Sequence, residues 1–198
     1  MIQFFACNLL NVPIPCSTDN PHFPTLNPMQ NIEYKAELRD FELARSIAKA
    51  LGARFEGTLE QADTYFRVAD ARFKKREAPG TPTQYILYKR PDRTRPKISQ
   101  YDVFTEEEAR VRFGEAGMKA WVVVKKTREV YLLGNVRIHL DSVERLGNFL
   151  EFEAIVSRAH NVAACHAAIS RLCREFLTSL GEPISCGYLE LMTSRLEE

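Results

Sequence analysis

Five groups of charged residues, each at two-residue spacing, are the part of this 198-residue chain that could do chemistry. Glu33 and Lys35 set a carboxylate beside an ammonium. Arg72, Lys74 and Arg76 set three cations in a row, Lys126 and Arg128 two more, and Arg137, His139 and Asp141 precede the pair Glu151 and Glu153. Residues two apart share one face of a β-strand, so each group would present its charges together. A single charged strand face is ordinarily a solvated outer face, and Lys on an edge strand also guards against aggregation. Acidic and basic faces that recur strand after strand allow a second arrangement, a sheet closed into a barrel around them, whose low-dielectric wall strengthens Coulomb attraction inside. Cations on several walls of such a lumen can hold a triphosphate. A cluster of carboxylates can hold the accompanying hard divalent cation, because Mg²⁺ combines few carboxylates with phosphate oxygens and water.

The elements that would position these groups follow from periodicity. Residues 31–38 alternate strictly, with Ile32, Tyr34, Ala36 and Leu38 opposite the charges and Glu37 read as a strand-end charge. Asp40 caps a helix through about residue 51, with Leu43, Ile47 and Leu51 as the buried stripe and Gly52 as its stop. Strands are expected over residues 63–68, 72–77, 84–90 and 97–103, with breaks at Ala69-Asp70 and at the Pro79-Gly80 turn. Of Lys89 and Arg90, parity with Ile86 and Tyr88 favours Arg90 for the inner face. Thr105 with Glu108 forms a capping box for a helix to about residue 116. A strand from Trp121, broken near Glu129, resumes over residues 130–133. A turn at Gly134-Asn135 and strands over 136–141 and 149–155 follow. Residues 157–180 read as one outer helix stopped by Gly181, with Val162, Ile169, Leu172, Cys173, Phe176 and Leu180 as its stripe. Trp121, Tyr131, Cys165 and Cys173 are read as packing residues, and His160 and His166 as surface or packing residues on that helix.

The formal net charge of +1 provides no global field toward nucleic acid or membrane, so anion binding must come from local concentration of Lys and Arg. Basic strands interrupted by matched acids also differ from an open nucleic-acid patch. Cys7, Cys16, Cys165, Cys173 and Cys186 are odd in number and contain no Cys-x-x-Cys pair, which argues against a zinc site and a disulfide framework and for a reducing, cytoplasmic location. No apolar run approaches the ~20 residues that span a bilayer. Residues 1–29, with Pro13, Pro15, Pro21, Pro24 and Pro28, are expected to be a disordered or mis-annotated extension with the native start at Met29, and residues 30–198 one domain. A signal peptide is the weaker reading, since Ile2 to Leu10 lacks a basic n-region.

The order Asn31-Ile32-Glu33-Tyr34-Lys35, Arg72-x-Lys74-x-Arg76-Glu77, Lys126-x-Arg128 and His139-Leu140-Asp141-x-Val143-x-x-Leu146-Gly147-x-Phe149-x-Glu151-x-Glu153 resembles the CYTH family. Within it the chain is similar to the class IV adenylyl cyclases, with thiamine and inorganic triphosphatases as relatives. The resemblance implies an α+β fold: a closed or nearly closed antiparallel eight-stranded β-barrel, the triphosphate tunnel, with flanking helices. It implies Mg²⁺ or Mn²⁺ at Glu33, Asp141, Glu151 and Glu153. Phosphates would be held by Lys35, Arg72, Lys74, Arg76, Arg90, Lys126, Arg128, Arg137 and His139, with Lys35 and Arg128 catalytic. The family's Glu-x-Glu-x-Lys signature falls on Asn31, Glu33 and Lys35, so Asn31 supplies a carbonyl oxygen without the charge of the first acid. The implied activity is conversion of ATP to cyclic AMP and pyrophosphate. Two alternatives are hydrolysis of inorganic, thiamine or nucleoside triphosphate, and non-catalytic polyphosphate or nucleotide binding. The implied partner is a small-molecule triphosphate rather than nucleic acid or membrane, and a homodimer is compatible with this reading.

Overall fold

The structure, a computed structural model, describes residues 29–197. The expected disordered or mis-annotated extension lies upstream, outside the described residues, and Met29 opens the first strand. In chain order the elements are β1 (Met29–Leu38), α1 (Phe41–Ala50), β2 (Arg54–Phe66), β3 (Arg72–Glu77), β4 (Gln84–Lys89), β5 (Lys97–Phe104) and α2 (Glu106–Gly117). They continue with β6 (Ala120–Leu133), β7 (Val136–Val143), β8 (Gly147–Ile155), α3 (Val162–Glu175), β9 (Leu180–Pro183) and α4 (Tyr188–Glu197).

The strands run in the order β5-β4-β3-β2-β6-β7-β8-β1-β9, and pairing of β1 with β5 closes eight of them into an antiparallel barrel. β9 extends the sheet where β1 has passed beyond β5, at Ala36 and Leu38. Closure buries both faces of β1. Asn31, Glu33 and Lys35 turn into the lumen, while Ile32, Tyr34, Ala36 and Leu38 join an outer core with Ile138, Leu140, Leu150 and Phe152 under α1 and α3. Glu37, beyond the charged wall, is exposed. On the opposite wall α2 covers Phe66, Phe73 and Tyr85, with the Phe113 ring stacked 4.1 Å from Phe73. Among the described residues no helix is long and apolar enough to cross a membrane.

Four local expectations are corrected. On α1 the buried positions are Ala44 and Ala48, and Leu43 is 36% exposed: small side chains let the helix lie close on the barrel, and Ile47 and Leu51 pack at its flank. β2 begins nine residues earlier than expected, at Arg54, with an irregularity between Phe55 and Gly57 where glycine adopts φ 140°. β6 is unbroken at Glu129, because that carboxylate faces outward to Arg45 of α1 and to the Tyr131 hydroxyl. The final helical stretch is shorter than expected. α3 ends at Glu175, Gly181 sits within β9, and a further helix, α4, follows.

Candidate functional site: a charged lumen

Antiparallel register sets the lumen's side chains in cross-strand rows. Glu33 on β1 lies opposite Glu153 on β8 and Lys97 on β5. Lys35 lies opposite Glu151, His139 on β7 opposite Glu151, Arg137 opposite Glu153, and Arg128 on β6 opposite Asp141. With Lys74, Arg76, Arg90 and Lys126 from the other walls, cations outnumber carboxylates. A lumen with that excess in a low-dielectric wall attracts a polyanion.

The basic wall is gathered by a residue that sequence reasoning passed over. Asp63 on β2 is 0% exposed and accepts from Lys74 Nζ at 2.9 Å, Lys126 Nζ at 2.8 Å, and Arg76 Nε and Nη2 at 2.8 and 3.0 Å. Burial alone would raise its pKa, but Arg76, Lys126 and Lys74 outweigh burial and hold it well below the usual carboxylate range. The lysines bear the converse load. Burial pushes Lys126 down to about 7, with the Arg128 and Arg76 charges adding to it against Asp63. Burial and Arg76 push Lys74 down to about 8.

A proton linkage follows. An anion set among these ammoniums raises their pKa values, so at pH 8 tripolyphosphate binding is expected to take up protons, and affinity to fall as pH rises through 7 to 8. Calorimetry in two buffers of different ionisation enthalpy measures the uptake. Buffer-independent heats would contradict it.

A second knot surrounds Arg128. Its Nε and Nη2 donate to the two oxygens of Asp141 at 2.6 and 2.5 Å, and Nη2 also reaches Glu151 Oε2 at 2.8 Å. Among the described residues no hydrogen bond engages Nη1. Asp141, 0% exposed, also accepts from the Tyr188 hydroxyl at 2.6 Å. Burial would raise Asp141, but Arg128 and Lys126 hold it at about 2. Its oxygens thus accept from Arg128 and Tyr188, and the Arg128 Nη2 joins Asp141 to Glu151.

Of the other expected metal-side acids Glu151 and Glu153 converge, together with His139, which the sequence placed among the phosphate ligands: each offers an atom within 4.8 Å of the others, and Glu33 lies outside this group. Burial and the Arg128 charge lower the His139 pKa and favour neutral imidazole, and its Nδ1 lies 3.5 Å from Glu151 Oε2 without completing a hydrogen bond. Lys35 Nζ sits 3.1 Å from Glu151 Oε1, Arg137 Nη1 3.7 Å from Glu153, and Glu33 pairs with Arg90, whose side chain turns inward while Lys89 is exposed. Asn31 Oδ1, two residues before Glu33 on the same face, is buried without a hydrogen-bond partner. Carboxylates and an amide oxygen on adjoining strands, with an unpartnered imidazole nitrogen beside them, fit a hard divalent cation.

α4 packs against one end of the lumen. Tyr188, Leu189 and Met192 of α4 pack on the inward Tyr65, Val122, Val124, Val143 and Phe149. Glu190 of α4 accepts from Arg72 Nε at 2.6 Å, and Arg72 Nη2 also binds Asp92 at 2.7 Å, so Arg72 stands at this rim rather than in the Asp63 knot. Lys97 Nζ donates to the carbonyls of Arg93 and Ser185 at 2.8 and 2.7 Å, fastening the segment before α4. Neither Lys97 nor Tyr188 was singled out from the sequence. Lys97 opens an alternating strand and could have been found by parity, whereas no motif marks Tyr188.

The class is defined by a closed antiparallel barrel with a cation-rich lumen and an acidic cluster on adjoining strands. Residues 29–181 match the family model described as the CYTH domain, and the chain belongs to the CYTH domain family. A Methanocaldococcus jannaschii protein provisionally named an adenylate cyclase is 26% identical over 174 residues, covering 82% of this chain and 98% of that protein. The PH1012 protein of Pyrococcus horikoshii superposes with a TM-score of 0.66 at 28% identity, covering 81% of this chain and 98% of that one. A Hippeastrum protein, provisionally an adenylyl cyclase and described as having a dominant triphosphatase activity, shares the fold with a TM-score of 0.53 at 17% identity, over 85% and 96% of the two chains.

Proposed function

We propose that the lumen converts ATP to cyclic AMP and pyrophosphate. The observation that carries this is the division of one lumen into a cation wall at Asp63 and Arg128 and an acidic corner at Glu151 and Glu153. In this reading Lys74, Arg76 and Lys126 exchange Asp63 for the β and γ phosphates, where charge builds on the leaving pyrophosphate. Arg128 offers Nη1 to the same charge, and Lys35, beside Glu151, neutralises the phosphate nearest the acidic corner. Glu33, Glu151 and Glu153, with the carbonyl oxygen of Asn31 and His139 at the edge, would hold Mg²⁺ or Mn²⁺. The chemistry such a cation would supply there is Lewis acidity toward the ribose 3′-hydroxyl and the α-phosphate. The 3′-oxygen attacks the α-phosphorus in line, its proton leaves to solvent, and the bond from the α-phosphorus to the bridging oxygen breaks to release pyrophosphate. Asp141 serves as the anchor of Arg128.

The same walls also suit a second reading, attack by water at the terminal phosphoryl group of a triphosphate, and Asn31, neutral where the signature has an acid, favours a third, binding of a polyphosphate or nucleotide without turnover. The cations face the lumen beside carboxylates, which supports a small-molecule triphosphate rather than nucleic acid as partner. Cys165, Cys173 and Cys186 are free thiols, in keeping with a reducing cytoplasm.

The purified chain, incubated with ATP, thiamine triphosphate or tripolyphosphate and Mg²⁺ or Mn²⁺, tests the reading when products are separated chromatographically. Cyclic AMP and pyrophosphate in equal amounts from ATP are expected. Orthophosphate from any of the three would establish the hydrolytic reading instead, and tight binding without product a binding module.

A further inference from the structure

Outside the assigned walls, α4 sends side chains into the lumen although it lies beyond the residues matched to the family. We propose that Tyr188 is a positioning residue of the tunnel: its hydroxyl fixes the Asp141 carboxylate that holds Arg128, and its ring caps Lys35, so that α4 sets the aim of two cations facing the phosphates. This rests on the reading of the lumen as a triphosphate-processing centre.

Three contacts carry it. The phenol donates to Asp141 Oδ2 at 2.6 Å, a charge-assisted bond to a carboxylate already gripped by Arg128 through both oxygens. Lys35 Nζ stands 3.4 Å from the centroid of the same ring, where the negative face of the π system attracts it, and 3.1 Å from Glu151. Phe149 meets the ring edge-on at 5.2 Å, and Tyr188 is 3% exposed, so the ring has no room to swing. The helix is itself held on both sides of this residue, by Lys97 on the Ser185 carbonyl and by Arg72 on Glu190. A fork whose partner carboxylate can tilt no longer presents Nη1 in one direction. The third bond on Asp141 removes that freedom, and the aromatic cap removes the corresponding freedom of the Lys35 stem.

Tyr188→Phe separates aim from packing, because it keeps the ring over Lys35 and against Phe149 and deletes only the bond to Asp141. It is expected to keep KM within about twofold while kcat falls about tenfold, the scale of one hydrogen bond to a charged group. In the nucleotide-free protein the Arg128 Nε–H, followed by ¹⁵N NMR and assigned by its loss in Arg128→Lys, is expected to exchange about tenfold faster in the variant. Leu172→Ala, which opens a cavity under α3 in the outer core and leaves α4 untouched, is expected to lower the unfolding midpoint and leave both readouts unchanged. Unchanged kcat or unchanged exchange in Tyr188→Phe overturns the proposal, as does an equal loss in Leu172→Ala. If the wild type yields no product from any triphosphate, the functional reading fails, and the exchange measurement alone decides the role of Tyr188.

Discussion

Arg128→Ala is expected to turn ATP over about 10³-fold more slowly than the wild type, in line with removal of a preorganised donor aimed at developing charge. The magnitude comes from where Arg128 stands. It is buried, fixed by two bonds to Asp141, shared with Glu151, and left with one nitrogen free. Water cannot replace it at a 4% exposed position without reorganising the site during the reaction. Arg128→Lys is expected to recover little, because an ammonium cannot bond both oxygens of Asp141 while reaching a third oxygen. Steady-state kcat from separated products, with the unfolding midpoint as a control, measures the effect. A folded Arg128→Lys enzyme within about threefold of wild-type kcat would show that the fork is structural.

Asp63→Ala is expected to destabilise the ligand-free protein by about 3–5 kcal/mol, the cost of stripping a buried ion cluster of its counter-charge. For a chain of this size that is a midpoint lower by about 10 °C. Lys74, Arg76 and Lys126 would then face one another without an anion. The loss should shrink as pH rises through 7 to 8, because Lys126 and Lys74, already depressed to about 7 and 8, shed their protons and the repulsion with them. Tripolyphosphate should restore much of the midpoint, since its oxygens take the place of the missing carboxylate, and the ligand-induced shift should exceed that of the wild type. Thermal unfolding at pH 6 and pH 9, with and without tripolyphosphate, reads all three. A midpoint that falls equally at both pH values and does not respond to the ligand would mean that Asp63 is an ordinary packing residue.

Asp63 also shows what the sequence could and could not disclose. The barrel was legible because a charged face on strand after strand has few solvated explanations, and the two-residue period of Glu33/Lys35, Arg72/Lys74/Arg76 and Glu151/Glu153 survives in the register of β1, β3 and β8. Asp63 shares a face with Gln61 and Tyr65, and a lone acid between uncharged residues carries no sign that three cations would meet on it. Leu43 misled because helical spacing finds a stripe but not its width: where helix and barrel come close, alanine outcompetes leucine for the contact. Tyr188 was invisible for another reason. α4 has no motif, and its contacts with β6, β7 and β8 join residues far apart in the chain, so only the closed barrel shows that Tyr188 ends among the acids. Asp141 belonged by spacing to the acidic strand, and only the bidentate geometry of Arg128 reveals that its oxygens are already taken.

The central claim is that one lumen holds a triphosphate on its basic wall and a divalent cation at its acidic corner. A crystal structure of the protein with tripolyphosphate and Mn²⁺, the metal located by anomalous scattering, tests it most directly. The account predicts phosphate oxygens on Lys74, Arg76, Lys126 and Arg128 and the manganese peak at Glu151 and Glu153 with Glu33 or Asn31 beside it. Phosphate and manganese bound only outside the barrel, with Asp63 still holding its three cations, would contradict it.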